Sequence, residues 1–342
     1  MQNIILADCS PNEILDFKKG VEIGMAEGFE ILSSVNNGSH GGIIQNLARY
    51  AKYFSFPFSI FLKRRRFAEI IGWQQFYAIN FAFFCRLFCV RKTCRVVAAN
   101  FTYKRKTGII GVIYNRYMKY AVCNDYIDYL HVLSFDYANN LSMVLNIPQE
   151  KFIVTPFGVS DNYNNYFSLK NPYSEDYSLS IGRSNRDFDF LADIWKEKGF
   201  EKEKLVIISD TWQPKLVLPP NVRHYSNIVG EDSFAWFANC KMAITSIDDG
   251  SICSGDTVLL TSMMLKRPTV ITAPSTLSEM YIEDGVDGVY IPKEKDKAAA
   301  ILINLLEDPD MQTRLGENAR KTFLEKFSRE SMGMAIAKAF LL

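Results

Sequence analysis

Short apolar runs alternate along this chain with longer stretches of helical spacing, and polar or glycine-bearing loops separate them. Residues 4–7, 30–35, 95–100 and 131–134 read as strands in the first half. Residues 179–181, 205–209, 222–225, 242–245 and 269–272 read as strands in the second. Helical spacing covers residues 11–26, opened by Pro11 and closed near Gly28, then 74–90, 135–146, 233–239 and 256–265. Another helix starts near Asp187, and residues 298–306, 314–327 and 330–342 read as helix throughout. Strands alternating with helices predict an α/β protein with parallel sheets. A polar stretch with Pro172 interrupts the alternation at residues 161–177 and reads as a linker. The expected domains are therefore 1–160 and 178–342.

Two loops in the second half carry candidate chemistry. The apolar run at 242–245 ends in a polar loop that closes on Ser254-Gly255-Asp256-Thr257. An apolar helix follows, Lys266-Arg267-Pro268 stops it, and a strand resumes at Thr269. Small residues and free backbone N–H groups at such a helix start suit a phosphate, because the helix dipole and unpaired donors both favour negative charge. The strand at 179–181 runs into Gly182-Arg183-Ser184-Asn185-Arg186. Two cations at a helix start suit a pyrophosphate.

Composition narrows the class. With 342 residues, 48% hydrophobic and 23% charged, the chain has room for two globular domains. Its seven cysteines form no CxxC pair and only three histidines are present, so a zinc site is not expected. Scattered thiols fit a reducing compartment, and Met1-Gln2-Asn3-Ile4-Ile5-Leu6-Ala7-Asp8 lacks the pattern of a secretory signal. The net charge of +1 conceals an asymmetry. Residues 1–160 hold 18 Lys/Arg against 11 Asp/Glu, whereas the remainder holds 21 against 27. Residues 49–119 contain 15 basic residues and the single acid Glu69, and thirteen aromatics lie between Tyr53 and Phe88. Basic side chains among rings, with Lys63, Arg64, Arg65 and Arg66 in a row, fit an anionic membrane surface. No nucleic-acid-binding motif accompanies them, so nucleic acid is not the expected partner.

Three segments, in order, resemble the GT-B glycosyltransferases, in particular the family 4 or group 1 enzymes of bacterial polysaccharide synthesis. The first runs from Ser134 through Pro148, Glu150-Lys151 and Pro156 to Gly158-Val159. The second is the Gly182-Arg183 loop. The third runs from Lys266-Arg267-Pro268 to the segment holding Glu279, Gly285 and Gly288. In place of that family's two glutamates the chain has Cys253 and Thr261.

The resemblance implies a GT-B fold, two Rossmann-like domains facing a cleft, with the final helices packing back on the first domain. It implies a nucleotide-diphosphate sugar bound by Gly182, Arg183, Arg186, Ser254, Gly255, Asp256, Thr257 and Glu279, without a bound metal or other cofactor. His40, in the loop before Gly41-Gly42, is the candidate base facing the acceptor, with Asp8 and Asp136 behind it. The implied activity is that of a hexosyltransferase-type enzyme. Its acceptor would be a polyprenyl-linked glycan in capsule, O-antigen or exopolysaccharide synthesis, met at the cytoplasmic face of the plasma membrane. With the glutamates replaced, retention and inversion both stay open. So do two other readings, a non-catalytic GT-B partner subunit of a glycan assembly complex and a GT-B sugar-nucleotide epimerase.

Overall fold

The computed structural model describes residues 1–35, 43–215, 217–228, 230–252 and 254–341. The chain forms two compact units, residues 1–160 with 329–342, and residues 161–328.

The first unit is built on a parallel sheet ordered β2-β1-β3-β4-β5-β6. Its strands are β1 (Gln2–Ala7), β2 (Glu30–Ser33), β3 (Phe67–Gly72), β4 (Arg95–Ala98), β5 (Tyr129–Val132) and β6 (Phe152–Val154). The connecting helices are α1 (Leu15–Met25), α2 (Ile43–Leu62), α3 (Gln75–Leu87), α4 (Gly108–Val122) and α5 (Phe135–Leu145). Helices α2 to α5 cover one face, where Phe61, Tyr77, Phe81, Met118 and Leu141 pack with Ile4, Leu6 and Ile70. Helix α3 is the most buried, since Phe54 of α2 meets Tyr117 of α4 across it at 5.9 Å. Strand β3 lies inside the basic, aromatic stretch and was not among the expected strands. It pairs with β1 and β4 and is covered on both faces. A strand buried on both sides has no polar alternation to betray it.

The second unit carries a parallel sheet ordered β12-β11-β10-β7-β8-β9. In chain order its elements are α6 (Tyr163–Tyr166), β7 (Tyr177–Ile181), α7 (Phe188–Ile194), β8 (Lys204–Ile208), β9 (Val222–Tyr225) and α8 (Glu231–Asn239). There follow β10 (Ala243–Thr245), α9 (Asp256–Met264), β11 (Thr269–Thr272), α10 (Thr276–Tyr281), β12 (Val289–Ile291), α11 (Lys295–Glu307) and α12 (Pro309–Thr322). Phe188, Leu191 and Trp195 pack with Leu302 and Leu305 of α11 over Leu205, Ile244 and Val270.

The 161–177 stretch is folded onto this unit rather than left as a free linker. Asp161 holds Arg320 through two bonds of 2.6 Å, and Tyr166 stacks on Phe234 at 4.1 Å between ring centroids. Its polar composition reflects these surface contacts. The last helix, α13 (Arg329–Ala339), belongs to the first unit and packs on α1. A Cβ at Gly20 would overlap the Glu330 carbonyl, and one at Gly333 would overlap that of Phe17. Glycine on both helices is what lets the two backbones approach so closely. Among the described residues no helix is long and apolar enough to cross a membrane.

His131 sits fully buried at the end of β5. Its Nδ1 accepts the Asn100 N–H at 3.0 Å and its Nε2 lies 2.7 Å from Thr155 Oγ1, so it joins the ends of three neighbouring strands. Burial lowers its pKa from 6.5 to about 4. The unfolded chain thus binds one more proton than the folded chain between these values. The stabilisation is complete above pH 6.5 and is lost as pH falls towards 4, by up to about 3 kcal/mol. In His131→Gln the fall in unfolding free energy across this window should become shallower by one proton's contribution, measured by urea titration at several pH values. An unchanged slope would remove His131 as the responsible group.

Candidate nucleotide-sugar site

In the second sheet the chain runs outward from β7 to β8 and β9, then returns to place β10 on the other side of β7. Loops leaving neighbouring strands part at such a reversal and open a crevice at the carboxyl ends. A cavity of about 530 Å³ lies there, lined by Ile181 to Ser184 and Arg186 after β7, Ile208 to Asp210 after β8, and Ser254 to Val258 at the start of α9. Ile228, Gly230 and Ser233 complete it. Seven of the eight residues expected to hold the donor converge on this one cavity: Gly182, Arg183, Arg186, Ser254, Gly255, Asp256 and Thr257.

The two arginines do different things. Arg183 is largely exposed, with its guanidinium 3.4 Å from the Asp210 carboxylate. The Thr211 hydroxyl donates to the Arg183 carbonyl and fixes the backbone beneath it. Arg186 is folded inward. Its Nη1 donates to the carbonyls of Ser254 at 2.9 Å, Ser184 at 3.1 Å and Asn185 at 3.2 Å. Burial lowers its pKa to about 10 against the opposing pull of Asp256, so it remains a cation at neutral pH. Gly255 makes room for it. Its φ is 116°, and a Cβ there would overlap the Arg186 guanidinium.

Asn185 stitches the same loops together. Its side chain donates to the carbonyls of Asp249 and Ile252 and accepts the Asp249 N–H at 2.7 Å. Ser184 and Ser254 approach within 3.2 Å through their hydroxyls. The result is a polar floor with the first turn of α9 opening onto it. Asp256 stands in that turn and accepts the Thr257 N–H at 2.9 Å.

No protein-family model and no curated protein matches the chain. Solved structures do. HepE of Anabaena, crystallised with UDP, is 13% identical and superposes with a TM-score of 0.61 over 100% of both chains. A glycosyltransferase of Rickettsia africae is 12% identical, with a TM-score of 0.61 over 99% of each chain. WaaG, a glycosyltransferase involved in lipopolysaccharide biosynthesis, is 16% identical, with a TM-score of 0.53 over 97% of this chain and 99% of its own. This is the GT-B fold. HepE structures also contain UDP with glucose, and UDP-glucose.

Within this GT-B chain the remaining expected residues fall elsewhere. Glu279 does not line the cavity. It is exposed on α10, whose inward face is Leu277, Ser278 and Tyr281, so its carboxylate lies off the packed side. Thr261 turns its hydroxyl back to the Thr257 carbonyl at 2.7 Å. His40, Gly41-Gly42 and Cys253 lie outside the described residues. Asp8 stands where the first sheet reverses between β1 and β3, and accepts from the Gln74 amide at 2.7 Å. Asp136 is exposed in the first turn of α5. Lys63, Arg65 and Arg66 are exposed between α2 and β3, and Arg64 lies over the Phe61 ring. Asp210 was missed as a lining residue, although its place just after a strand's carboxyl end was a usable signal.

Gly255→Ala should destabilise the second unit by about 1–3 kcal/mol, since it adds both a strained φ and a clash with a buried cation. Denaturant unfolding checks this. A change within about 0.5 kcal/mol, the ordinary range for a neutral surface substitution, would mean that the loop repacks freely.

Proposed function

We propose that the chain is a glycosyltransferase that moves a sugar from a nucleotide-diphosphate donor to a hydroxyl of a glycan acceptor. The observation that carries this reading is the single cavity at the sheet reversal, which gathers Arg183, Arg186 and the start of α9 in the second unit. In such a transfer the bond between the anomeric carbon and the diphosphate breaks while the acceptor oxygen bonds to that carbon. Negative charge grows on the departing diphosphate. Groups aimed at that charge lower the barrier because they stabilise the transition state more than the bound donor. Arg183 is the exposed cation for this task. Arg186 fixes the loop against which the diphosphate would lie and adds a buried positive charge nearby. With these groups no resident metal or other cofactor is required by the proposal. HepE, of the same fold, binds UDP and UDP-glucose, which supports a uridine nucleotide among the donors to be tried first.

The acceptor in this proposal is a lipid-linked glycan at the cytoplasmic surface of an anionic membrane, in capsule, O-antigen or exopolysaccharide assembly. The 15-to-1 excess of basic over acidic residues in 49–119 supports it, as that stretch contributes α3, α4 and most of α2 to the helical face of the first unit. His40 remains the proposed acceptor-side base for an inverting reaction.

A second reading, a non-catalytic partner subunit, is favoured by the acidic groups in the cavity. Asp210 competes for Arg183, Asp256 occupies the helix start where an anion would gain most, and Thr261 spends its hydroxyl on its own helix. Transfer and hydrolysis assays with UDP-, GDP- and dTDP-sugars separate the two readings. Turnover with any of them supports the transferase, and nucleotide binding without turnover supports the subunit.

Arg183→Ala should weaken UDP binding by roughly tenfold or more and reduce transfer in proportion, since a charge-assisted contact contributes about 1.5–3 kcal/mol. Calorimetric titration of the folded variant measures it. Wild-type affinity in that variant would exclude Arg183 from the site.

A further inference from the structure

The outer face of the first unit's helical layer is apolar where a folded protein would ordinarily be polar. Helix α2 exposes Leu47, Tyr50, Phe54, Phe58 and Leu62, a stripe at helical spacing along its whole described length. Helix α4 exposes Ile109, Ile110 and Ile113 in its first turns, at 84%, 82% and 65% of full accessibility. Three isoleucines at that exposure contribute nothing to the core. Their neighbours are cations. Lys104, Arg105 and Lys106 precede the helix, and Arg116 and Lys119 follow along it, all exposed. None of the five forms an ion pair among the described residues. Glu69, the one acid in residues 49–119, is held by Arg95 at 2.7 Å.

The segment before α4 is also built rather than loose. The Asn115 side chain accepts the Lys106 N–H at 3.1 Å and the Tyr103 hydroxyl at 2.9 Å, and donates to the Lys106 carbonyl at 2.8 Å. Tyr103 stacks on Tyr114, and the Lys106 ammonium lies 4.2 Å above the Tyr114 ring. Apolar side chains at a helix start, ringed by unpaired cations on a fixed support, are complementary to one surface in particular: acyl chains beneath anionic headgroups.

We propose that the first turns of α4 insert into an anionic bilayer, with Ile109, Ile110 and Ile113 entering the acyl region and Lys104, Arg105 and Lys106 contacting the headgroups. This deepens the proposed function and rests on its lipid-linked acceptor. It also relocates the contact. The Lys63–Arg66 run precedes β3 and lies at the amino edge of the sheet, whereas α4 begins after β4, at the carboxyl edge. The bilayer therefore meets the edge at which ligand loops of parallel sheets gather.

The test uses the full chain and vesicles of phosphatidylcholine with or without phosphatidylglycerol, read by co-sedimentation at low and high salt. Ile109→Ser, Ile110→Ser and Ile113→Ser combined should lower partitioning onto anionic vesicles at least roughly tenfold, through lost apolar burial. Lys104→Ser, Arg105→Ser and Lys106→Ser combined should remove most of the salt-sensitive binding. Serine at Lys63, Arg64, Arg65 and Arg66 should have the smaller effect. All three variants should keep the wild-type thermal melt and UDP affinity. If the wild type binds no nucleotide but partitions as described, the transferase reading fails and the membrane surface stands. Equal binding to neutral and anionic vesicles, no binding at all, or a loss confined to the Lys63–Arg66 variant would overturn the proposal. A wild-type dimer that the isoleucine variant converts to monomer, without vesicle binding, would also overturn it and assign the face to a second copy of the chain.

Discussion

The candidate site depends on one buried cation. Arg186 is drawn in from solvent and given three backbone carbonyls from two separate loops. Removing a guanidinium from water is costly, and among the described residues its buried Nε has no hydrogen-bond partner, so the three carbonyls at Nη1 offset only part of that cost and hold the loops where they converge. That arrangement requires Gly255, because any side chain there would fill the space the guanidinium occupies. The start of α9 is thereby fixed against the end of β7, and the cavity between them has a defined shape before any ligand enters. Asn185 reinforces the same junction from the other side. Arg183, by contrast, is left exposed and loosely paired. An inward cation bonded to both loops shapes the site, while an exposed one beside it is, among the described residues, free of backbone carbonyls in the cavity's lining.

The first unit solves a different problem. It must cover one face of its sheet with only two helices, and one of them comes from the far end of the chain. Close backbone approach of α13 to α1 at Gly20 and Gly333 makes this possible. Phe340 and Ile336 then join Phe17 and Val21 in the same cluster, and the Arg95 guanidinium bonds the Phe340 carbonyl. The opposite face has four helices and a surplus of aromatic rings. Part of that surplus packs inward around α3, and part remains outside as the stripe on α2. Excess apolar surface and excess positive charge thus end on the same helical layer, which is why that layer rather than the opposite one faces a partner in the proposals above.

Much of the architecture was legible in residue order alone. Alternating strand and helix patterns announced parallel sheets because each pattern has its own period. The loops after β7 and β10 stood out because glycine, small hydroxyl residues and arginine at helix starts have few purely structural uses in combination. Other features were hidden. Strand β3 is apolar on both sides and sits among aromatics, so neither alternation nor composition marked it. The stretch 161–177 looked like a tether because its polar residues bond to partners outside it, Glu175 with Lys204, Tyr166 with Glu231 and Asp161 with Arg320. Glu279 was placed by resemblance, and it is exposed on α10 outside the residues that line the cavity.

Local pattern therefore marked many of the strands and helices, though not β3, α2 or α4, and the loops that could meet an anion. These depend on neighbours in sequence: periodicity, capping and the residues that tolerate a helix start. Tertiary structure alone decided that Arg186 would turn inward while Arg183 stayed out. It also decided that the isoleucines of α4 would face water. Each of these outcomes turns on space and partners supplied by distant segments, and no window of the chain contains that information.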